Sequence, residues 1–261
     1  DNINELVRNY GMVIVDECHH AAAVTHENVL RAVTARYIYG MSATINRGDK
    51  QDKKMFMQLG PIRHRYTAKE RAQKQGIGHY IYPRFTRLVD LNQSEDRNPA
   101  DYYRLIMQSE LRNMQIVSDT IDCVKRGRTP VVMTKYKEHA QKLYDMLQGS
   151  ADHVFLLQGG KSLKERAAIR EEMAAVRADE SIILVAIGQY VGEGFNYPRL
   201  DTMLLAMPIS FEGNVEQHAG RLNRNYEGKK DAIIFDYIDQ HVPTLKRMYY
   251  KRLRAYKKIG Y

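Results

Sequence analysis

The sequence predicts an α/β fold made of parallel sheets flanked by helices. Two observations carry this. Short apolar runs rich in Val, Ile and Leu recur along the chain, and helical patterns of ten or more residues separate them. Strands that alternate with helices in this way make βαβ units, whose strands are buried on both faces and read as near-continuous apolar runs.

The first such run is Met12–Asp16, inside the stretch MVIVDECHH, and it stops on two adjacent carboxylates, Asp16 and Glu17. A helical pattern over Ala21–Val33 leads to a second strand, Arg36–Met41, ending in Ser42-Ala43-Thr44. Asp49–Leu59 is polar and helical. His79–Leu91 alternates as a strand, and Pro83 puts its first half near a sheet edge, because proline cannot donate to a ladder. The polar stretch Asn92–Pro99 reads as a linker, dividing the chain into domains over 1–95 and 96–261.

Beyond it the alternation becomes regular. A long helix is expected over Ala100–Lys125, then strand Thr129–Thr134, helix Lys137–Gln148 and strand Val154–Leu157. Helix Ser162–Val176 opens on a Ser162-x-x-Glu165 capping box. Strands Ser181–Ile187 and Asp201–Ala206, helix Gly213–Arg224, strand Asp231–Asp236 and helix Val242–Lys258 complete the chain.

Composition bounds the function. The chain is 44% hydrophobic and 27% charged, a globular balance. No apolar run approaches the roughly 20 residues of a membrane span, so no membrane partner is expected. Cys18 and Cys123 offer neither a metal spacing nor a disulfide framework, which suits a reducing, cytoplasmic setting. The net charge of +9 favours a nucleic-acid partner through phosphate neutralisation.

Three stretches could carry chemistry. Two carboxylates where a buried strand leaves a sheet suit a magnesium nucleotide, one oxygen set holding the metal and the other orienting water; two solvated acids are the plainer alternative. In QHAGRLNR, Gln217, Gly220, Arg221 and Arg224 fall three and four apart on one helix face. Two guanidinium forks there would clamp phosphoryl oxygens, with Gly220 permitting close approach; a solvated basic face is the alternative. The glycine-dense loop AIGQYVGEGFNYP lets backbone amides approach an anion, but its spacing is not a dinucleotide fingerprint.

The order DECH, SAT, GEG, QxxGRxxR resembles that of superfamily-two helicases and translocases, in the DEAD/DEAH-like branch with type III restriction subunits and XPB-type proteins. The resemblance implies RecA-like (P-loop NTPase) sheets, with one partial lobe and one complete one, and ATP and Mg²⁺ as cofactors. It implies that Asp16 holds Mg²⁺, Glu17 polarises the attacking water, and Arg221 and Arg224 reach the γ-phosphate. His19, Ser42, Thr44 and Gln217 would couple nucleotide state to nucleic-acid grip. Glu193, Gly194, Asn196 and Gly220 would lie against the nucleotide. Thr134, Gly159, Gly160 and Gly188 would touch the nucleic-acid backbone, with DNA favoured over RNA.

The chain departs from the family pattern at Ile187, where a threonine is usual, and at Asn196, where an aspartate is usual. No G-x-x-x-x-G-K-[ST] phosphate cradle occurs in the 261 residues. The expectation is therefore a fragment whose P-loop segment lies upstream, with nuclease or methylase domains as possible companions, and which alone does not hydrolyse ATP at a useful rate. The alternative is a non-catalytic RecA-like module that binds nucleic acid or a partner.

Overall fold

The structure is a computed structural model that describes residues 7–18, 21, 24–42, 52–66, 70, 74, 76–90, 98–160, 163–188, 195–209 and 212–261. It divides into two compact units, 1–66 and 67–261.

In the first unit, strands β1 (Met12–Val15) and β2 (Tyr37–Gly40) pair in parallel, joined by helix α1 (Val24–Ala32). Helix α2 (Asp52–Leu59) follows. A small core forms from Cys18, Ala21 and Met55, packed by Val15, Leu30, Phe56 and Leu59. Gly40 is required here, since a Cβ would lie 2.7 Å from Leu59 Cδ1 and 2.9 Å from Cys18 Sγ. β1 is not buried on both faces as its sequence suggests. Met12 and Ile14 remain about half exposed, because the described core covers one side of this two-stranded sheet.

The second unit is a six-stranded sheet, parallel throughout. Its strands are β3 (Gly78–Phe85), β4 (Pro130–Thr134), β5 (His153–Leu157), β6 (Ile182–Ile187), β7 (Thr202–Leu205) and β8 (Asp231–Ile238), in the order β3-β8-β7-β4-β6-β5. β3 is an edge strand, as Pro83 requires. It pairs with β8 from Gly78 to Phe85, which ties residues near 80 to the second unit; the division after Tyr66 thus falls well before the expected break near 95. Most of the linker expected at 92–99 lies outside the described residues, and its end, Asn98-Pro99, opens a helix instead.

That helix, α3 (Pro99–Gln108), is capped by Asn98 Oδ1, which accepts from the Ala100 and Asp101 amides. The single helix expected over Ala100–Lys125 is broken at Ser109, whose extended backbone separates α3 from α4 (Glu110–Lys125). Asn113 Nδ2 donates to the Met107 carbonyl that the break releases. Helices α5 (Lys137–Leu147), α6 (Leu163–Ala175), α7 (Glu212–Leu222) and α8 (Pro243–Ile259) follow among the described residues.

Side-chain alternation along the strands builds two cores. Val131, Met133, Leu184 and Ala186 meet Met173 of α6, Ala219 of α7 and Ala255 of α8. Val132, Ile183 and Val185 meet Ile116 of α4 and Leu143 of α5 on the opposite face. β6 has helices over both faces, which is why it is apolar at every position.

Three ion pairs fasten helices to the sheet. Arg252 of α8 grips Asp236 of β8 through Nε and Nη2, both at 2.8 Å, and Tyr256 donates to the same carboxylate. Arg112 of α4 donates to Asp239 and to the Ala206 carbonyl, and Thr86 donates to Asp239 as well. Arg84 forks onto Asp119, which also accepts from Tyr237. Arg252 and Asp236 are each 1% exposed, so losing one partner strands a charge in the core. Asp236→Ala is expected to cost roughly 3–5 kcal/mol and to lower the melting temperature of the second unit by about 10 °C. Thermal unfolding beside the apolar pair Asp236→Leu/Arg252→Met, which should recover most of the loss, checks this.

Candidate functional site

In the first unit the acidic pair sits where β1 leaves the sheet. The Met41 amide donates to the Val15 carbonyl and the Cys18 amide donates to the Met41 carbonyl, both at 2.8 Å, so the ends of β1 and β2 are tied and Ser42 follows beside the acidic turn. Glu17 takes φ +46°, and its amide donates to Asp16 Oδ1 at 2.9 Å. A left-handed backbone at a residue other than glycine costs of order 1 kcal/mol and is held by its surroundings. Here the two strand-end bonds and the Asp16 carboxylate hold it. The Asp16 carboxylate is exposed, the monodentate hard-oxygen donor that Mg²⁺ takes beside phosphate and water, so these residues fit that metal. His19 and Thr44 lie outside the described residues.

In the second unit the expected site residues fall into two groups. Thr134, Gly159-Gly160 and Gly188 end β4, β5 and β6, three neighbouring strands, on one edge of the sheet. Gly160 takes φ +94°, and a Cβ there would sit 3.2 Å from Lys137 Nζ. Gly188 is closely packed: a Cβ would lie 3.2 Å from His218 Nε2.

The Thr134 side chain is turned inward. It is 5% exposed and its hydroxyl meets His139 Nδ1 at 2.8 Å. His139 Nε2 meets Asn113 Oδ1 at 2.9 Å, and since Asn113 Nδ2 donates to Met107, Oδ1 must accept. The imidazole therefore carries its proton on Nε2, and the Thr134 hydroxyl donates inward. Only the backbone at Thr134 is left to face a ligand.

Two residues outside the expected site set also stand at this edge. Lys137 lies beside Gly160, and the Lys135 ammonium lies 4.5 Å from the Tyr103 ring and 5.6 Å from the Tyr136 ring. The signal was available in the run Thr134-Lys-Tyr-Lys137, basic and aromatic residues directly after a buried strand.

The second group gathers around the segment before β7. Arg221, in the last turn of α7, donates from Nη1 to the Phe195 carbonyl at 3.1 Å, and Arg224 donates to the Asn196 side-chain oxygen. Lys229 Nζ donates to the Arg224 and Pro198 carbonyls, and burial pulls its pKa down to about 8. Arg224 lies two residues past the end of α7, so it does not share a helix face with Gln217, Gly220 and Arg221 as expected. The side chain of Gln217 is outside the described set, as are Glu193 and Gly194. A Cβ at Gly220 would meet no described atom within 4 Å, so the space beside it is open. Asn196 accepts from Arg224 through a neutral amide oxygen, so this contact itself brings the guanidinium no opposite charge.

The chain is similar to known proteins in both sequence and fold. The family described as "Type III restriction enzyme, res subunit" matches residues 1–47. "Probable helicase D10" of Escherichia phage T5 is 27% identical over 248 residues, covering 90% of this chain and 50% of the relative. The fragment structure of a putative HsdR subunit of a type I restriction enzyme from Vibrio vulnificus YJ016 aligns with a TM-score of 0.63 at 19% identity, covering 96% of this chain and 46% of that one. S. cerevisiae Dbp5 L327V, bound to RNA and ADP BeF3, aligns with a TM-score of 0.55 at 13% identity over 95% of this chain and 57% of that one. The chain spans about half the length of the curated relatives it matches.

Burial pulls the pKa of His139 down to about 3 and that of His218 to about 4, helped by the neighbouring Arg112 and Arg221 charges. Both are neutral when folded at neutral pH. Between the folded values and about 6.5 the unfolded chain binds more protons, so stability rises with pH there and is lost as pH falls below about 6.5. His218→Leu is expected to reduce that slope by up to about 1.4 kcal/mol per pH unit; urea unfolding at pH 7.5 and 5 measures it.

Proposed function

We propose, from the chain's kinship with superfamily-two helicases and its RecA-like fold, that it is the core of a nucleic-acid-dependent ATPase that unwinds or translocates along its track. The single observation that carries this reading is Glu17: a carboxylate held in a left-handed turn at a strand's carboxyl end, directly after an exposed aspartate. A plain strand end gains nothing from that conformation, whereas a water-positioning group does.

Asp16 would hold Mg²⁺, which when bound neutralises charge on the β- and γ-phosphate oxygens. Glu17 would orient the attacking water. Arg221 and Arg224 would stabilise the charge that builds on the transferring phosphoryl group, while the Asn196 contact aims Arg224. Ser42 would couple this chemistry to the nucleic acid. The strand-end edge, with the backbone at Thr134, Gly159 and Gly160 and the ammonium groups of Lys135 and Lys137, would grip a phosphate backbone. DNA is the favoured track, on the likeness to restriction-enzyme subunits. The phosphate cradle is absent from these 261 residues, so turnover is proposed for a longer protein that supplies it. A binding module without turnover would need neither the acidic turn nor both arginines.

ATP turnover by the chain extended to include a phosphate cradle, with and without single- and double-stranded DNA and RNA, tests the reading. One nucleic acid should stimulate it, and Glu17→Gln should lower the stimulated rate by about 10²-fold or more without loss of fold. A folded protein with no turnover under any condition would favour the binding module.

A further inference from the structure

The last helix, α8, carries seven basic residues and no acidic one. One of the seven, Arg252, is buried and spent on Asp236. That pair, with Leu245, Tyr256 and Ile259 in the core, fixes which way the helix is rolled. The other six, Lys246, Arg247, Lys251, Arg254, Lys257 and Lys258, are all exposed. At 100° per residue they fall within roughly 140° of the circumference and extend over about 18 Å. Among the described residues no carboxylate pairs with Lys246, Arg247, Lys251, Arg254 or Lys257; Arg247 only donates to the Thr244 hydroxyl.

We infer that this face of α8 is a second nucleic-acid contact, docking the phosphate backbone of a duplex without reading its sequence. About five phosphates of one strand lie along 18 Å of duplex axis, comparable in number to the six cations spread over this face. Gripping a single strand calls for interleaved aromatic platforms, and Tyr250 is the one well-exposed ring on this helix. The proposal rests on the reading of the chain as a nucleic-acid motor and adds where the duplex ahead of or behind it is held.

The test is fluorescence anisotropy with the 261-residue chain, comparing wild type with Arg247→Gln/Lys251→Gln/Arg254→Gln. The probes are a 20-base-pair duplex, a 20-residue oligo-dT and polyglutamate, each titrated across a salt series. The variant should melt as wild type does. Its duplex affinity should fall at least tenfold at 100 mM salt, and the log–log salt slope should shrink by about 2–3, with oligo-dT binding changed less than threefold. Unchanged duplex affinity and slope would overturn the proposal. So would wild-type binding of polyglutamate as tight as the duplex with an equal loss in the variant, which would make the face a general polyanion patch. Duplex binding that needs α8, from a chain that binds no oligo-dT at any salt, would count against the motor reading and leave α8 assigned.

Discussion

Parallel pairing is the constraint on which the rest depends. When all six strands of the second unit run one way, every strand that leaves the sheet does so on the same edge. Thr134, Gly159-Gly160 and Gly188 are far apart in sequence yet become neighbours by this alone, as do Val15 and Met41 in the first unit. Parallel strands also need crossover helices, which bury both faces and make the central strands predominantly apolar. The same rule that hides the strands thus collects the polar loops that follow them.

Buried charge then sets orientation. Arg252 and Arg112 are each 1% exposed, and each ties a helix to β8 or the loop just after it. Such pairs add little net stability compared with well-packed apolar groups, but they penalise any other roll or register, since a shift would leave charges unpaired in the core. In α8 this separates one arginine, committed to the fold, from six basic residues committed to the surface. The inward chain from Thr134 through His139 to Asn113 likewise joins the end of β4 to the start of α4.

Much of this was legible in the sequence. The alternation of apolar runs and helices marks each described strand, although the run expected to reach Leu91 ends at Phe85, and Pro83 marks the edge. What the sequence hid depends on partners and helix ends that only the folded chain decides. The helix break at Ser109 has no glycine or proline to announce it, and the side chain that stabilises it, Asn113, looks like ordinary surface polarity. Local pattern places β3 with the first unit, because pairing with β8, some 150 residues away, has no local signature. The helical spacing that put Arg224 on one face with Arg221 failed because α7 stops at Leu222. The inward turn of Thr134 was invisible for the same reason: its partner is decided by the fold.

The central claim is that the second unit takes part in phosphate chemistry, not only in binding. The most direct test is Arg224→Ala in the cradle-containing protein, with the nucleotide dissociation constant and the nucleic-acid-stimulated turnover measured side by side. The account predicts turnover down by about 10³-fold with nucleotide affinity changed less than threefold, the mark of a contact made in the transition state. Unchanged turnover, or a loss of affinity that accounts for the whole loss of rate, would contradict it.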